Sequence, residues 1–268
     1  MLCVPCSEKK DRNVIMVGLV VPIFVNKYIG SCINYLCKNT YAERMQICIV
    51  NDGRRELDSW LVKHVWPENV HVLNLPENRC FAGANNAGWE FLLRNFPELA
   101  YLGTINDDTR VLPGCIDRLV ACLRHHSDVG IVAPVQIIKY FFRKTPFAVW
   151  RLGGAGESNM VLTDADIACD TYCSVLPGVC MLARSEVLTR INFFDDNYIN
   201  SCEDIDISLS ARKAGWRLMV AANARILHFV GKSRYREEAN SRITVSALTL
   251  KNKWGENLSK YNDIHYFI

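Results

Sequence analysis

Tyr101-Leu102-Gly103-Thr104-Ile105-Asn106-Asp107-Asp108-Thr109 opens as a short β-rich apolar run and stops abruptly on polar residues that include two adjacent acids. Working outward, the same form recurs on both sides. Val14–Val21, Gln46–Val50, Val70–Leu75 and Val129–Val135 are further short apolar runs, and the second ends on Asn51-Asp52-Gly53. Between the runs lie Lys27–Cys37, Glu56–Val65, Ala82–Asn95 and Pro113–His125, each with apolar residues at three- and four-residue spacing, the period of a half-buried helix. Strand–helix alternation of this kind predicts an α/β fold of parallel strands joined by crossover helices.

After about residue 136 the rhythm changes. Phe141–Asp170 is irregular and of mixed polarity, which predicts loops or small antiparallel strands. An apolar segment (Val175–Leu182) follows, then a helix (Glu203–Ala214) closed by Gly215, a strand (Arg217–Val220) with a further run towards Ile226–Leu227, and a helical tail over Glu237–Trp254. The first half reads as a nucleotide-binding layer, and the second as an elaboration that completes a site.

The bulk properties narrow the class. The 268 residues are 50% hydrophobic and 22% charged, enough for one large domain or two small ones with a substantial core. A net charge of +3 does not argue for nucleic acid or membrane, and suits an anionic substrate only weakly. Most of the twelve cysteines stand singly in apolar stretches, which predicts buried thiols in a reducing compartment. Cys3-Val4-Pro5-Cys6 is a lone CxxC, and Cys169 and Cys173 could complete a metal site with it only through a fold contact. The most apolar run, Val14–Val25, contains Pro22 and is shorter than the about 20 residues a membrane helix needs. No small-residue cleavage signal follows it, so it reads as a first strand. These features place the protein in the cytoplasm, free or peripheral to a membrane.

In open parallel sheets ligands bind outside the carboxyl ends of the strands. That rule selects the polar residues following each apolar run. Asp52 can accept from a base or ribose while Gly53 turns the chain past the ligand, although Asn-Asp-Gly is also ideal turn composition. Asp107 and Asp108 suit a hard divalent cation, which takes carboxylate and phosphate oxygens; the alternative is that Asp108 or Thr109 caps the following helix. Asp204, in Ser201-Cys202-Glu203-Asp204-Ile205-Asp206, can serve as general base towards a hydroxyl, or with Ser201 form a capping box. His228 follows another apolar run and reads alone as a structural histidine.

Taken in order, these segments resemble family 2 glycosyltransferases with the GT-A fold, in particular bacterial rhamnosyl- and galactofuranosyl-transferase-like members, over roughly Val17 to Ser233. Val21-Pro22-Ile23-Phe24-Val25-Asn26 is similar to the family's first strand, and Ile49-Val50-Asn51-Asp52-Gly53 to its nucleotide-contacting segment. Asn78-Arg79-Cys80-Phe81-Ala82-Gly83-Ala84-Asn85-Asn86-Ala87-Gly88 resembles its glycine- and asparagine-bearing helix start, and Asn106-Asp107-Asp108-Thr109 stands where its DxD-type motif does. Pro177-Gly178-Val179-Cys180, Phe193-Phe194-Asp195-Asp196, Glu203-Asp204-Ile205-Asp206 and Arg212-Lys213-Ala214-Gly215-Trp216 match later motifs.

The resemblance implies a GT-A, Rossmann-like, mostly parallel sheet flanked by helices, with a smaller acceptor-side elaboration and a C-terminal helix. It divides the chain into an extension (1–12), the catalytic domain (13–235, donor half 13–135, acceptor half 136–235) and a tail (236–268). It implies a nucleoside-diphosphate sugar donor, held by Pro22, Asn26, Asp52, Arg79 and Asn85, with Asn106 or Asp107 near the ribose. Mn²⁺ or Mg²⁺ would sit on Asp108 and His228, and Lys232 and Arg234 would belong to a loop over the diphosphate. Asp204 would be the base of an inverting displacement, with Glu203, Gly178 and Trp216 on the side of a glycan or glycoconjugate acceptor; Trp216 has a core role as its alternative. Two departures stand out: Arg54 follows Gly53 in place of the usual serine, where it could reach a phosphate, and the DxD-type motif opens on Asn106.

The competing readings are a nucleotidyltransferase, a non-catalytic nucleotide-sugar binder and an enzyme acting on nucleic acid. The first needs a glycine-rich basic loop after the opening strand, where Ile23-Phe24-Val25-Asn26 stands instead. The last would recruit Tyr140–Lys144 and Lys232–Arg236 as a basic groove.

Overall fold

The computed structural model describes residues 16–25, 27–40, 45–140, 143–147, 169–199, 201–229, 239–255 and 257. In chain order the elements are β1 (Val17–Ile23), α1 (Ile29–Asn39), β2 (Met45–Asn51), α2 (Arg55–Lys63), β3 (Val70–Asn74), α3 (Cys80–Asn95), β4 (Tyr101–Ile105), β5 (Thr109–Val111) and α4 (Cys115–His125). There follow β6 (Val129–Tyr140), β7 (Arg143–Phe147), β8 (Thr171–Cys173), β9 (Cys180–Arg184), α5 (Ser185–Arg190), α6 (Glu203–Lys213), β10 (Arg217–His228) and α7 (Ala239–Trp254).

One sheet runs β3-β2-β1-β4-β9-β6-β10-β5, with β7 beside β6 and β8 beside β10. β3, β2, β1 and β4 are parallel; β9 is antiparallel to both β4 and β6, so β6, and with it β10, points the same way as β4. The main path is thus mostly parallel, interrupted by β9 and edged by the antiparallel β5. Both halves of the chain share this sheet.

Side-chain alternation along the strands builds a core on each face. Leu19, Val21, Ile47 and Ile49 pack with α1, α2 and α4, whereas Val20, Cys48 and Val50 pack with α3, α5 and α6. A third cluster of Val175, Tyr198, Leu209, Leu250 and Trp254 docks α7 against α6. Pro22 is tolerated in β1 because the pairing with β4 ends at Val20, so its missing N–H falls beyond that ladder.

Four differences from the sequence reading have physical causes. β5 is a three-residue strand hidden behind the acidic motif, recruited by antiparallel pairing of Thr109 with His228 and Val111 with Ile226. Asp108 and Thr109 therefore do not cap α4, whose N-cap is Gly114 at φ 73°. Arg217–Val220 and Ile226–Leu227 form one strand; Ala222, Asn223 and Ala224 bulge opposite the Pro134–Val135 step, where proline has no N–H to give. The apolar segment 175–182 is extended into the sheet only from Cys180, and the short helix α5 follows β9 directly.

Candidate active site

The carboxyl ends of β1, β2, β4, β6 and β10 lie along one edge of the sheet. At β4 the chain passes from buried Ile105 straight into Asn106-Asp107-Asp108. Asp107 and Asp108 are only 4% and 3% exposed, and Asp107 Oδ2 and Asp108 Oδ1 have no hydrogen-bond partner among the described residues. Burial, reinforced by the adjacent Asp108 carboxylate, pushes Asp107 up to about 7. Two such acids side by side are costly unless a cation joins them.

The β5–β10 pairing brings His228 to this pair from 120 residues further along the chain. Its Nε2 stands 3.4 Å from Asp108 Oδ1, and the Phe229 N–H donates to the Asp108 carbonyl at 3.0 Å. The other ring nitrogen, Nδ1, is 3.1 Å from Gln136 Oε1 on β6. A second-sphere contact of this kind orients an imidazole ligand by the nitrogen it does not use. Gln136, 2% exposed, went unnoticed in the sequence; its one signal was a polar residue in an otherwise apolar strand.

On the donor side, Asp52 follows β2 and its Oδ1 accepts the Arg79 N–H at 2.6 Å. Burial raises this carboxyl to about 6 against the opposing pull of that hydrogen bond. Gly53 is at φ +72°, and a Cβ there would lie 2.3 Å from the Asn78 nitrogen, so no side chain fits between the two turns. Arg79 does not reach inward freely: its Nη2 donates to Asp196 Oδ2 at 3.0 Å. Asn85 is wholly buried, its amide nitrogen donating to Phe81 O at 2.8 Å in its own helix and its Oδ1 without a hydrogen-bond partner among the described residues. The neighbouring Asn86 does the long-range bonding, giving Nδ2–H bonds to Phe194 O and Asp196 Oδ1 and accepting the Phe194 N–H. Arg54 is held by Glu56 and lies 4.3 Å over the Phe24 ring.

Next to the acidic motif stand the turn before β9 and the start of α6. The Asn106 N–H donates to Val179 O at 2.8 Å, and the Gly178 N–H to Asp204 Oδ2 at 3.0 Å. Two hydrogen bonds and a single peptide thus connect the acidic motif to Asp204, and both lie at the same edge. A Cβ on Gly178 would sit 3.2 Å from that of Asp204, so glycine permits this approach. Asp204 Oδ1 accepts the Ile205 N–H at 2.9 Å, and the side chain, like that of Glu203, is half-buried. Each carboxylate oxygen therefore keeps acceptor capacity beyond its backbone contact. No capping box forms: the N-cap of α6 is Cys202 at φ 65°, without a side-chain cap bond.

Asp206, two residues on, is closed. It accepts from Tyr198 Oη at 3.1 Å and Trp254 Nε1 at 2.7 Å, and pairs with Lys253, which fastens α7 to α6. Trp216 requires a correction. It immediately precedes β10, whereas His228 ends it, so it sits at the opposite end of the sheet, with its Cβ filling the space where Gly130 lacks a side chain and its ring under Arg184. It is a packing residue. Asn26, Lys232 and Arg234 lie outside the described residues, as does the Cys3/Cys6 pair. None of the ten described cysteines is in a disulfide, and burial pushes Cys48, Cys115 and Cys122 up to about 12, which holds them as thiols where no metal or other cation replaces the proton.

The model of the family described as Glycosyl transferase family 2 matches residues 19–190, more than half of the chain, and the chain belongs to that family. It is 32% identical over 65 residues to the N-acetylglucosaminyl-diphospho-decaprenol L-rhamnosyltransferases of Mycobacterium tuberculosis strains CDC 1551 / Oshkosh and ATCC 25618 / H37Rv. That stretch is 24% of this chain and spans only 21% of those relatives. The fold resembles the crystal structure of GalNAc-T7 with UDP, GalNAc and Mn²⁺ at a TM-score of 0.73 and 15% identity, covering 94% of this chain and 50% of the other. A member of glycosyl transferase family 2, the chain has the GT-A fold.

Proposed function

We propose that this chain transfers a sugar from a nucleoside diphosphate to a hydroxyl of a glycan or glycoconjugate, with inversion and with help from Mn²⁺ or Mg²⁺. The observation that carries the reading is the pair of buried carboxylate oxygens on Asp107 and Asp108 that have no hydrogen-bond partner among the described residues, with His228 Nε2 3.4 Å from that of Asp108. Oxygen and imidazole donors suit such an ion, so these residues fit it. Asp108 and His228 would hold it, and when bound it offsets the charge gathering on the departing diphosphate. GalNAc-T7, which shares the fold, was crystallised with UDP and Mn²⁺, and the mycobacterial relatives are named for rhamnosyl transfer.

The chain's own residues carry the rest. Asp52 closes the base and ribose side. Asp204, aimed by the Gly178 and Ile205 N–H groups, takes the proton of the acceptor hydroxyl as its oxygen attacks the anomeric carbon from the face opposite the leaving group. A screen of UDP-, GDP- and dTDP-sugars with and without Mn²⁺ or Mg²⁺, read by thermal shift and hydrolysis, tests the reading. Stabilisation by one nucleotide class, only with metal, is expected; indifference to every donor and to metal contradicts it.

A further inference from the structure

A second cluster of ligand chemistry lies at the other end of the sheet. Cys122 and His126 are four residues apart across the last turn of α4, where the His126 N–H donates to Cys122 O at 3.0 Å. That spacing sets both side chains on one helix face. Asp170 arrives there from just before β8. The thiol sulfur, an imidazole nitrogen and a carboxylate oxygen of these three residues lie within 4.8 Å of one another.

We infer that Cys122, His126 and Asp170 form a structural site for a zinc-class divalent cation, separate from the catalytic edge and independent of the proposed reaction. Three observations support it. The separations are close to those of a tetrahedral shell: His126 Nε2 and Asp170 Oδ2 are 4.0 Å apart, against about 3.4–3.8 Å between ligands at ordinary Zn–N, Zn–O and Zn–S lengths. The carboxylate is already oriented, because Asp170 Oδ1 accepts the Ala222 N–H at 2.9 Å from the β10 bulge, while Oδ2 stands by His126 Nε2 and the Cys122 thiol bonds to the carboxylate, contacts a metal would replace. The burial is graded from buried Cys122 through half-buried His126 to exposed Asp170, so an ion can enter from solvent and water can take the fourth position.

The donor set separates this site from the first. A thiolate with imidazole selects zinc, cobalt or copper, whereas the Asp107–Asp108–His228 group is oxygen-rich and suits manganese or magnesium. Coordination would replace the thiol proton by the metal and tie together α4, the segment leading into β8, and the bulge of β10. The site would thereby pin the chain where it returns to the sheet at Cys169–Thr171.

The test is Co²⁺ titration of the full chain under reducing conditions, followed by displacement with Zn²⁺ and elemental analysis. The expected result is a sulfur-to-cobalt charge-transfer band that saturates at one equivalent of metal, apart from any Co²⁺ held at the catalytic edge. The band should vanish in Cys122→Ser, bind at least tenfold more weakly in His126→Gln and Asp170→Asn, and persist in Asp108→Ala. His126 and Asp170 are accessible enough that their variants serve if Cys122→Ser does not fold. Absence of the band, or its survival in Cys122→Ser through another thiol such as the Cys3/Cys6 pair, overturns the inference.

Discussion

The two ends of the parallel strands treat their charged groups in opposite ways. At the amino-terminal end, Asp128 accepts from Tyr172 Oη at 3.1 Å and pairs with Arg217 at 3.3 Å, while the Arg184 guanidinium donates to the carbonyls of Val129, Leu123 and His126. At the carboxyl end, two acids buried more deeply than Asp128 keep oxygens with no hydrogen-bond partner among the described residues, only His228 Nε2 standing 3.4 Å from one of them. A polar group that serves only the fold is satisfied by the fold. Groups left short, at a cost in folding free energy, are aimed at something the chain does not supply. Within one helix turn, Asp206 fastens α7 through Trp254, whereas Asp204 Oδ2 accepts the Gly178 N–H.

The largest expected effect comes from Asp204. Asp204→Asn should lower kcat by about 10²–10⁴-fold, the usual worth of a general base, while the donor Kd stays within about twofold. Near-normal turnover would remove Asp204 from that role. Its closed neighbour should behave in the reverse sense. Asp206→Ala takes a buried carboxylate from Tyr198 Oη and Trp254 Nε1 and leaves Lys253 its pair with Asp195, and should cost about 3–5 kcal/mol of unfolding free energy, measured by urea denaturation.

Asp52 gives a smaller, pH-dependent effect. Its carboxyl is raised from 3.8 to about 6, so the folded state holds the proton more tightly than the unfolded chain. Stability from this group is therefore present below about pH 4 and is lost as pH rises to about 6. Asp52→Asn, whose Oδ1 can still accept the Arg79 N–H, should remove that slope and gain on the order of 1–3 kcal/mol over wild type at pH 7. A variant with the wild-type slope would show that Asp52 ionises without cost. The smallest effect belongs to the far end of the sheet. Trp216→Leu should cost about 1–2 kcal/mol of stability and leave the acceptor KM unchanged; a raised KM would return Trp216 to the acceptor pocket.

Much of this was legible in the chain. The alternation of apolar runs and helical spacing marked β1 to β4, α1 to α4 and the start of β6, because those elements bury whole faces and burial imprints a period. The carboxyl-end rule then pointed to Asp52 and Asp107–Asp108. What stayed hidden depends on pairing between distant segments. β5 has only three residues and owes its form to β10. Asn86 and Gln136 act through bonds to Asp196 and His228, and neither partner leaves a mark on the local pattern. Trp216 was misplaced for a related reason: motif order along the chain does not say at which end of a twelve-residue strand a residue lies.

Mn²⁺ binding to wild type and Asp108→Ala, by calorimetry in the presence of the nucleoside diphosphate that the donor screen selects, tests the central claim most directly. Wild type should bind one ion at the catalytic edge, and Asp108→Ala should lose at least tenfold in affinity while its metal-free melting temperature stays equal or rises, since a costly buried charge is gone. Equal Mn²⁺ affinity in the two proteins, or an Asp108→Ala variant that loses metal-free stability as Asp206→Ala is expected to, would contradict the account.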